Sequence, residues 1–279
     1  MLKYKHITFI GAGSMAEAMI SGFIYKAGIS PDRITAANHT NVKRRIELID
    51  KYQICAESIE DVSFQHSDVI ILAVKPKQAE EVLQQLRPHL RNHHIILSVL
   101  AGISTRFIEE IISKELPVIR IMPNTSSMIG ESITGISAGK FVRNDDLDLA
   151  QELSKAIGRV KIISEKQMDV FTGIAGSGPA YFYYLLEHME DVAVQNGLDR
   201  ELAREIAAQT LYGASKMVME SSDSPAELRK KVTSPNGTTA AGLHALDKYG
   251  GGRAIEAAVE NAAKRSKTLR KEYEKVPVV

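Results

Sequence analysis

Ile7-Thr8-Phe9-Ile10-Gly11-Ala12-Gly13-Ser14-Met15-Ala16-Glu17-Ala18-Met19-Ile20-Ser21-Gly22 is the stretch whose reading decides the fold. The β-branched run Ile7 to Ile10 reads as a strand that stops at Gly11, and a helical pattern starts within a few residues. Gly11, Gly13 and Ala16 occupy the small positions of a dinucleotide-binding turn. The first permits the tight turn, the second lets backbone approach a pyrophosphate, and the third lets helix pack closely on strand. Free N–H groups and the positive end of the helix dipole then face the phosphates, which makes Gly11, Gly13, Ser14 and Met15 candidate cofactor contacts. Met15, Ile20 and Phe23, with Met19 beside them, form the face expected to pack on a sheet. Such a turn also occurs in other α/β proteins, and its place between a strand and a helix is the context that favours nucleotide binding.

The composition narrows the class. The chain has 279 residues, enough for one large or two ordinary domains. A net charge of +1, with 25% charged residues, points to neither nucleic acid nor an anionic membrane. The single cysteine, Cys55, excludes an intrachain disulfide framework and a multi-cysteine metal site, and it suits a reducing compartment. Cys55 itself reads as a buried strand residue rather than a nucleophile. Met1 to Lys5 leads directly into a strand without a signal-peptide pattern, and apolar runs such as Val69 to Val74 have strand length. A soluble, cytoplasmic protein is expected.

Downstream, Ser30-Pro31-Asp32 marks a turn and Arg33 to Ala37 a second strand. A preference for NAD would place a carboxylate at that strand's end. The positions read Asn38-His39-Thr40, with Lys43, Arg44 and Arg45 following on a helix. A polar, uncharged loop backed by cations favours a 2′-phosphate, hence NADP over NAD, although the same cations also suit a solvated helix face. Val69 to Val74 reads as a strand buried on both faces, ending at Lys75-Pro76. Ligands bind beyond the carboxyl ends of such strands, so Ala73 and Lys75 join the site. His94 to Leu100, ending at Ala101-Gly102, is a further strand on the cofactor side. Val118 to Met122 is another, broken by Pro123-Asn124-Thr125, which brings Ala101 and Asn124 into the cofactor set. Ile133 to Ser137 and Val160 to Ile163 read as the last, outer strands, with a helix from Asp145 to Ile157 between them.

From Glu165 the strand-like runs cease and amphipathic helical patterns take over. Phe182, Leu185, Leu186, Met189, Val192 and Ala193 keep helical spacing. Asp199 reads as the N-cap of a helix reaching Glu220, and a last helix runs from about Gly252 to Glu274. Two stretches are too rich in small residues for ordinary helix: Gly173 to Tyr181, and Val232 to Ala241. Each places glycines and hydroxyls at a break before a helix, where backbone N–H groups meet an anion. Each also suits a capped helix–helix connection. Two such breaks beside a nucleotide-binding domain favour a small anionic substrate.

Taken in order, Phe9 to Ala16, Ala73-Val74-Lys75-Pro76, Arg120-Ile121-Met122-Pro123-Asn124-Thr125, Gly176-Ser177-Gly178-Pro179-Ala180-Tyr181 and Val232 to Thr239 resemble the motifs of the Δ1-pyrroline-5-carboxylate reductase family, over nearly the whole chain. The last two are the most specific. The resemblance implies an α/β Rossmann-like N-terminal domain, residues 1–165, followed by an all-α domain, residues 166–279, that binds substrate and interlocks with a partner subunit. It implies NADPH-dependent reduction of pyrroline-5-carboxylate to proline in a homodimer or larger assembly. Lys75 and Ala101 would lie near the nicotinamide, and Ser234, Gly237, Thr238 and Thr239 would hold the substrate carboxylate. Two departures stand out. Asn236-Gly237 replaces the family's usual Gly-Gly, and an asparagine often used near the adenosine is missing around Glu60.

The chemistry agrees with this inventory. A protonated cyclic imine already has an electrophilic carbon, so its reduction needs a positioned hydride donor and a proton rather than a strong acid. No Cys/His cluster, paired carboxylate or Ser/His/Asp spacing is evident, and no metal is called for. Thr239 is the candidate to polarise the imine nitrogen, with water as proton source, and Lys75 is the other catalytic candidate. Hydroxyacid dehydrogenases share the architecture but place a lysine on the first long helix, and none occurs between Tyr181 and Gln195. A non-catalytic paralogue is the other alternative, kept open by Asn236.

Overall fold

The computed structural model describes residues 2–38 and 41–274. The chain divides into two compact units, one of residues 1–177 with 260–279, the other of residues 178–259.

The first unit is built on an eight-stranded sheet. Its strands are β1 (Ile7–Ile10), β2 (Ile34–Ala37), β3 (Cys55–Glu57), β4 (Val69–Leu72), β5 (Ile95–Ser98), β6 (Val118–Met122), β7 (Ser132–Ala138) and β8 (Gly158–Ile162), in the order β3-β2-β1-β4-β5-β6-β7-β8. All neighbours are parallel except the antiparallel pair β6 and β7. The helices are α1 (Ser14–Tyr25), α2 (Val42–Tyr52), α3 (Ala79–Leu86), α4 (Thr105–Ile112), α5 (Asn144–Lys155) and the single turn α6 (Met168–Phe171). Strand alternation explains the layers. Ile7, Phe9, Val69 and Ile71 pack with Met19, Ile20, Phe23 and Leu153 in one core, and Ile10, Ile70 and Leu72 with Leu83, Phe107 and Ile108 in the other. Met19, Ile20 and Phe23 are fully buried, as their spacing on α1 predicts.

One reading of the sequence needs correction. The strand β3 carries no apolar run, and the reading of Cys55 as a buried strand residue is the one sequence expectation that falls on it. Cys55 lies on it but is exposed rather than buried, because β3 is a three-residue edge strand whose burial pattern leaves only its middle residue partly covered. The change from strand to helix falls near Glu165, and by contact residues 166–177 and the end of the last helix group with the sheet. Asp169 explains this, accepting from Ser266 Oγ at 2.8 Å and pairing with Arg270 at 3.1 Å, while Ser104 donates to Glu274 at 2.5 Å.

The second unit is helical, with α7 (Gly178–Gln195), α8 (Arg200–Glu220), α9 (Pro225–Lys231), α10 (Thr238–Lys248) and the first half of α11 (Gly251–Tyr273). Asp199 caps α8 as read, accepting from the N–H groups of Glu201 and Leu202. Glu190 ties α7 to α8 through Arg200 at 2.6 Å and Arg204 at 2.9 Å. The apolar stripe of α7 stays uncovered within one chain, with Phe182, Leu185, Met189 and Val192 each more than two-fifths exposed.

A charged cluster fastens α1 to α2. Glu17 is almost buried, and its carboxylate accepts from Arg44, from Lys51 at 2.8 Å and from Tyr52 Oη at 3.0 Å. Burial alone raises its pKa, but the donors from Arg44, Lys51 and Tyr52 outweigh burial and hold the carboxyl at about 2. The folded chain therefore binds this proton less readily than the unfolded chain. The stabilisation is fully present above the ordinary value of 4.5 and is lost as the pH falls toward 2. Urea unfolding of wild type and Glu17→Gln across this range is expected to show a stability gap that narrows as the pH drops. A gap independent of pH contradicts the cluster's role.

Candidate active site

Parallel strands bring their carboxyl ends to one edge, which collects the ends of β1, β4, β5 and β6. At β1 the chain turns through Gly11 with φ +110°, and a Cβ there would lie 2.4 Å from the Ala73 carbonyl oxygen. Only glycine fits. Gly11 N–H donates to Ala37 O at 2.9 Å and Ala73 N–H to Ile10 O at 2.8 Å, so the three strand ends are knitted around the turn. Gly13 is the N-cap of α1 and offers no side-chain cap, and a Cβ there would meet nothing within 4 Å. Ser14 follows it exposed and Met15 half-buried. An uncapped helix N-terminus with open space above it fits a dinucleotide pyrophosphate.

The cations after β2 divide in their roles. Arg44 is held by Glu17 and donates from Nε to the Ala12 carbonyl at 2.9 Å, so it braces the turn from behind. Arg45 reaches the end of β2, donating from Nη1 to Asn38 O at 3.3 Å. Asn38 Oδ1 accepts from Asn41 N–H at 2.9 Å. His39, read as a cofactor contact, lies outside the described residues, as does Thr40.

Lys75 is exposed just beyond β4, Ala73 and Ala101 are half-buried, and all three stand on the same edge. Asn124 stands there too, beyond β6, with its amide engaged inside the protein. It accepts from Ser126 N–H at 3.0 Å and donates to Ala175 O at 2.9 Å. Ala175 belongs to a π turn, Thr172–Gly176, ahead of α7. The small residues of this turn are legible in the sequence, whereas the bond to Asn124 is not. Pro179, four residues after Ala175, was the available signal, because it removes an N–H that helical backbone would use.

In the helical unit, the second small-residue stretch forms a tight turn before α10. Gly237 N–H donates to Ser234 O at 3.1 Å across Pro235 and Asn236, and Asn236 has φ +60°. Proline followed by a left-handed residue is the type II pattern. Gly237 then caps α10 without a side chain, and Ser234, Thr238 and Thr239 are exposed around it. No hydrogen bond is made by the Thr239 hydroxyl among the described residues, which leaves it available to a ligand. Among the described residues there is no group of three or more His, Cys, Asp or Glu placed to hold a metal, and no helix long and apolar enough to cross a membrane.

Comparison with known proteins covers both units. Residues 165–269 match the family model of pyrroline-5-carboxylate reductase dimerisation, and residues 6–102 match that of coenzyme F420-dependent NADP oxidoreductases. The pyrroline-5-carboxylate reductase 1 of Bacillus spizizenii is 52% identical over 271 residues, 97% of this chain and 91% of that protein. The crystal structure of the Plasmodium falciparum pyrroline carboxylate reductase with NADP bound superposes with a TM-score of 0.88 at 29% identity, covering 96% of this chain and 99% of that one. The Coxiella burnetii pyrroline-5-carboxylate reductase gives a TM-score of 0.85 at 32% identity, covering 95% and 98%.

The turn at Asn236 yields a stability test. Asparagine tolerates the left-handed region better than other side-chain-bearing residues, so Asn236→Gly is expected to be nearly neutral, while Asn236→Val should cost about 1–2 kcal/mol. Urea unfolding of the three proteins checks the order. A valine variant as stable as wild type would mean that the turn is not held in this conformation.

Proposed function

The chain belongs to the pyrroline-5-carboxylate reductase family, and from that premise we propose which cofactor it prefers and which residues serve the reaction. The reaction is reduction of the cyclic imine 1-pyrroline-5-carboxylate to proline by a nicotinamide-dependent oxidoreductase acting on a C–N bond. One observation carries the assignment of residues. Each unit presents a glycine-capped helix N-terminus without a side-chain cap, α1 at Gly13 and α10 at Gly237. Such ends attract anions, and the reaction brings two, a pyrophosphate and a carboxylate.

The backbone N–H groups of Gly13, Ser14 and Met15 hold the pyrophosphate, with Gly11 allowing its approach. Asn38 and Arg45 take the adenosine ribose and its 2′-phosphate, which favours NADPH over NADH. Ala73, Lys75 and Ala101 orient the nicotinamide end. When bound, the reduced nicotinamide supplies a hydride to the imine carbon. Ser234, Gly237 and Thr238 bind the carboxylate through hydroxyl and N–H donors. Thr239 donates from its hydroxyl to the lone pair of the neutral imine nitrogen, and that nitrogen, taking a proton from water, becomes the secondary amine of proline. The uncovered apolar stripe of α7 supports a homodimer formed through the helical unit. A single cysteine supports a cytoplasmic setting.

Cofactor choice is tested by measuring kcat/KM with NADPH and NADH side by side. Wild type should prefer NADPH, and Arg45→Ala should narrow the preference about ten-fold, the value of one charge-assisted contact. A wild-type preference for NADH would make Asn38 a ribose ligand instead. For the chemical step, Thr239→Ala should lower kcat/KM for pyrroline-5-carboxylate by roughly ten- to a hundred-fold and leave NADPH affinity nearly unchanged, while Thr239→Ser retains much of the activity. An alanine variant with normal turnover and earlier unfolding would reduce Thr239 to a structural residue of α10.

A further inference from the structure

Asn124 and Ala175 belong to motifs 51 residues apart that meet through one buried hydrogen bond, from Asn124 Nδ2 to the Ala175 carbonyl. The need for a side-chain donor follows from the sequence around Ala175. In regular α-helix its carbonyl would accept the N–H of the fourth residue on, and that residue is Pro179. Proline has no N–H to give. The backbone widens here instead of continuing as α-helix, with Ser177 N–H bonded to Thr172 O at 2.9 Å, five residues back. Ala175 is only 7% exposed, so solvent cannot readily stand in for the missing donor.

The opposite side of Asn124 leaves no freedom in its orientation. Its Oδ1 accepts from Ser126 N–H at 3.0 Å and its own N–H donates to Ser132 Oγ at 3.1 Å. Oδ1 must face the Ser126 donor and Nδ2 the Ala175 acceptor, so the amide cannot flip without losing both bonds. The residue is 9% exposed. Thus the strand end that belongs to the cofactor edge carries the donor that Pro179 denies to the turn entering α7.

For the reductase reaction assigned above, we propose that Asn124 is a positioning residue, which sets the Gly176-Ser177 entry to α7 against the carboxyl end of β6 by replacing the N–H that Pro179 lacks. Its amide serves the turn and not the cofactor. Pairs of this kind are coupled: the asparagine is needed because the proline is there.

A double-mutant cycle of Asn124→Ala and Pro179→Ala reads that coupling. Steady-state kinetics with pyrroline-5-carboxylate and NADPH, NADPH titration by fluorescence, and amide exchange over residues 173–177 are measured on all four proteins. Asn124→Ala should lower kcat about ten-fold or more, keep NADPH dissociation within about two-fold of wild type, and speed exchange in the turn. In that background Pro179→Ala returns a backbone N–H to Ala175, and both turnover and slow exchange should recover in part. A ten-fold loss of NADPH affinity in Asn124→Ala without rescue would make Asn124 a cofactor ligand and overturn the proposal. Lowered thermal stability with unchanged kcat, or no rescue of either readout, would overturn it as well. If the alanine variant fails to fold, Asn124→Asp keeps the acceptor for Ser126 and donates to Ala175 only when protonated. Its kcat relative to wild type should then rise as the pH falls, and a flat ratio counts against the proposal. Wild type inactive on pyrroline-5-carboxylate would defeat the reductase reading and the kinetic role with it, while the exchange data would still judge the bond by itself.

Discussion

The backbone contact between Gly11 and Ala73 is the constraint on which the nucleotide edge depends. A single added methyl would collide with the Ala73 carbonyl, so β1 and β4 can end side by side only if position 11 is glycine. That closeness lets Ala73 N–H bond to Ile10 O and Gly11 N–H to Ala37 O, which fixes the start of α1 relative to three strand ends. Arg44 then secures the same turn from α2 by holding the Ala12 carbonyl, and Glu17 holds Arg44. An open, uncapped helix end is a poor place for unsatisfied N–H groups unless its position is imposed from outside. Here it is imposed by the sheet and by the Glu17 cluster.

The helical unit solves the same problem with a different device. Its turn before α10 is closed by the Gly237 to Ser234 bond and by a left-handed residue, and the helix begins at once with no side-chain cap. Asn236 adopts a left-handed conformation, φ +60°, of the kind glycine takes most readily and asparagine tolerates. The unit also buries little of its own apolar surface. Among the described residues Ala203 and Ala207 are the buried apolar positions of α8, while Leu202, Ile206, Tyr212 and Met217 are exposed. Exposed apolar surface of this kind, on a unit that matches a dimerisation family model, suits self-association.

Much of the sheet was legible because parallel strands buried on both faces read as continuous apolar runs. Ile7 to Ile10 and Val118 to Met122 were bounded to the residue, and β4, β5, β7 and β8 to within two residues at each end. The strand β3 was illegible for the complementary reason: Cys55-Ala56-Glu57 lies at the edge, is mostly solvent-facing and has only three residues, so no apolar run announces it. Cys55 itself reads as a buried strand residue and is exposed, because three residues at a sheet edge are too few for an alternation to show which face is covered.

By itself the sequence determined the glycine and proline positions, the apolar strands β1, β4, β5 and β6 in their order, and the small-residue breaks before α7 and α10, because each follows from local backbone sterics and periodicity. Only the tertiary structure decided how the polar side chains divide their work. Lys43, Arg44 and Arg45 look alike as a charged run, yet Arg44 turns to Glu17 and Ala12 while Arg45 turns to Asn38. Asn124 stands among cofactor-edge residues, but its amide is drawn to a carbonyl 51 residues away. A hydrogen bond depends on which donors and acceptors packing brings within about 3 Å, and no spacing along the chain encodes that distance.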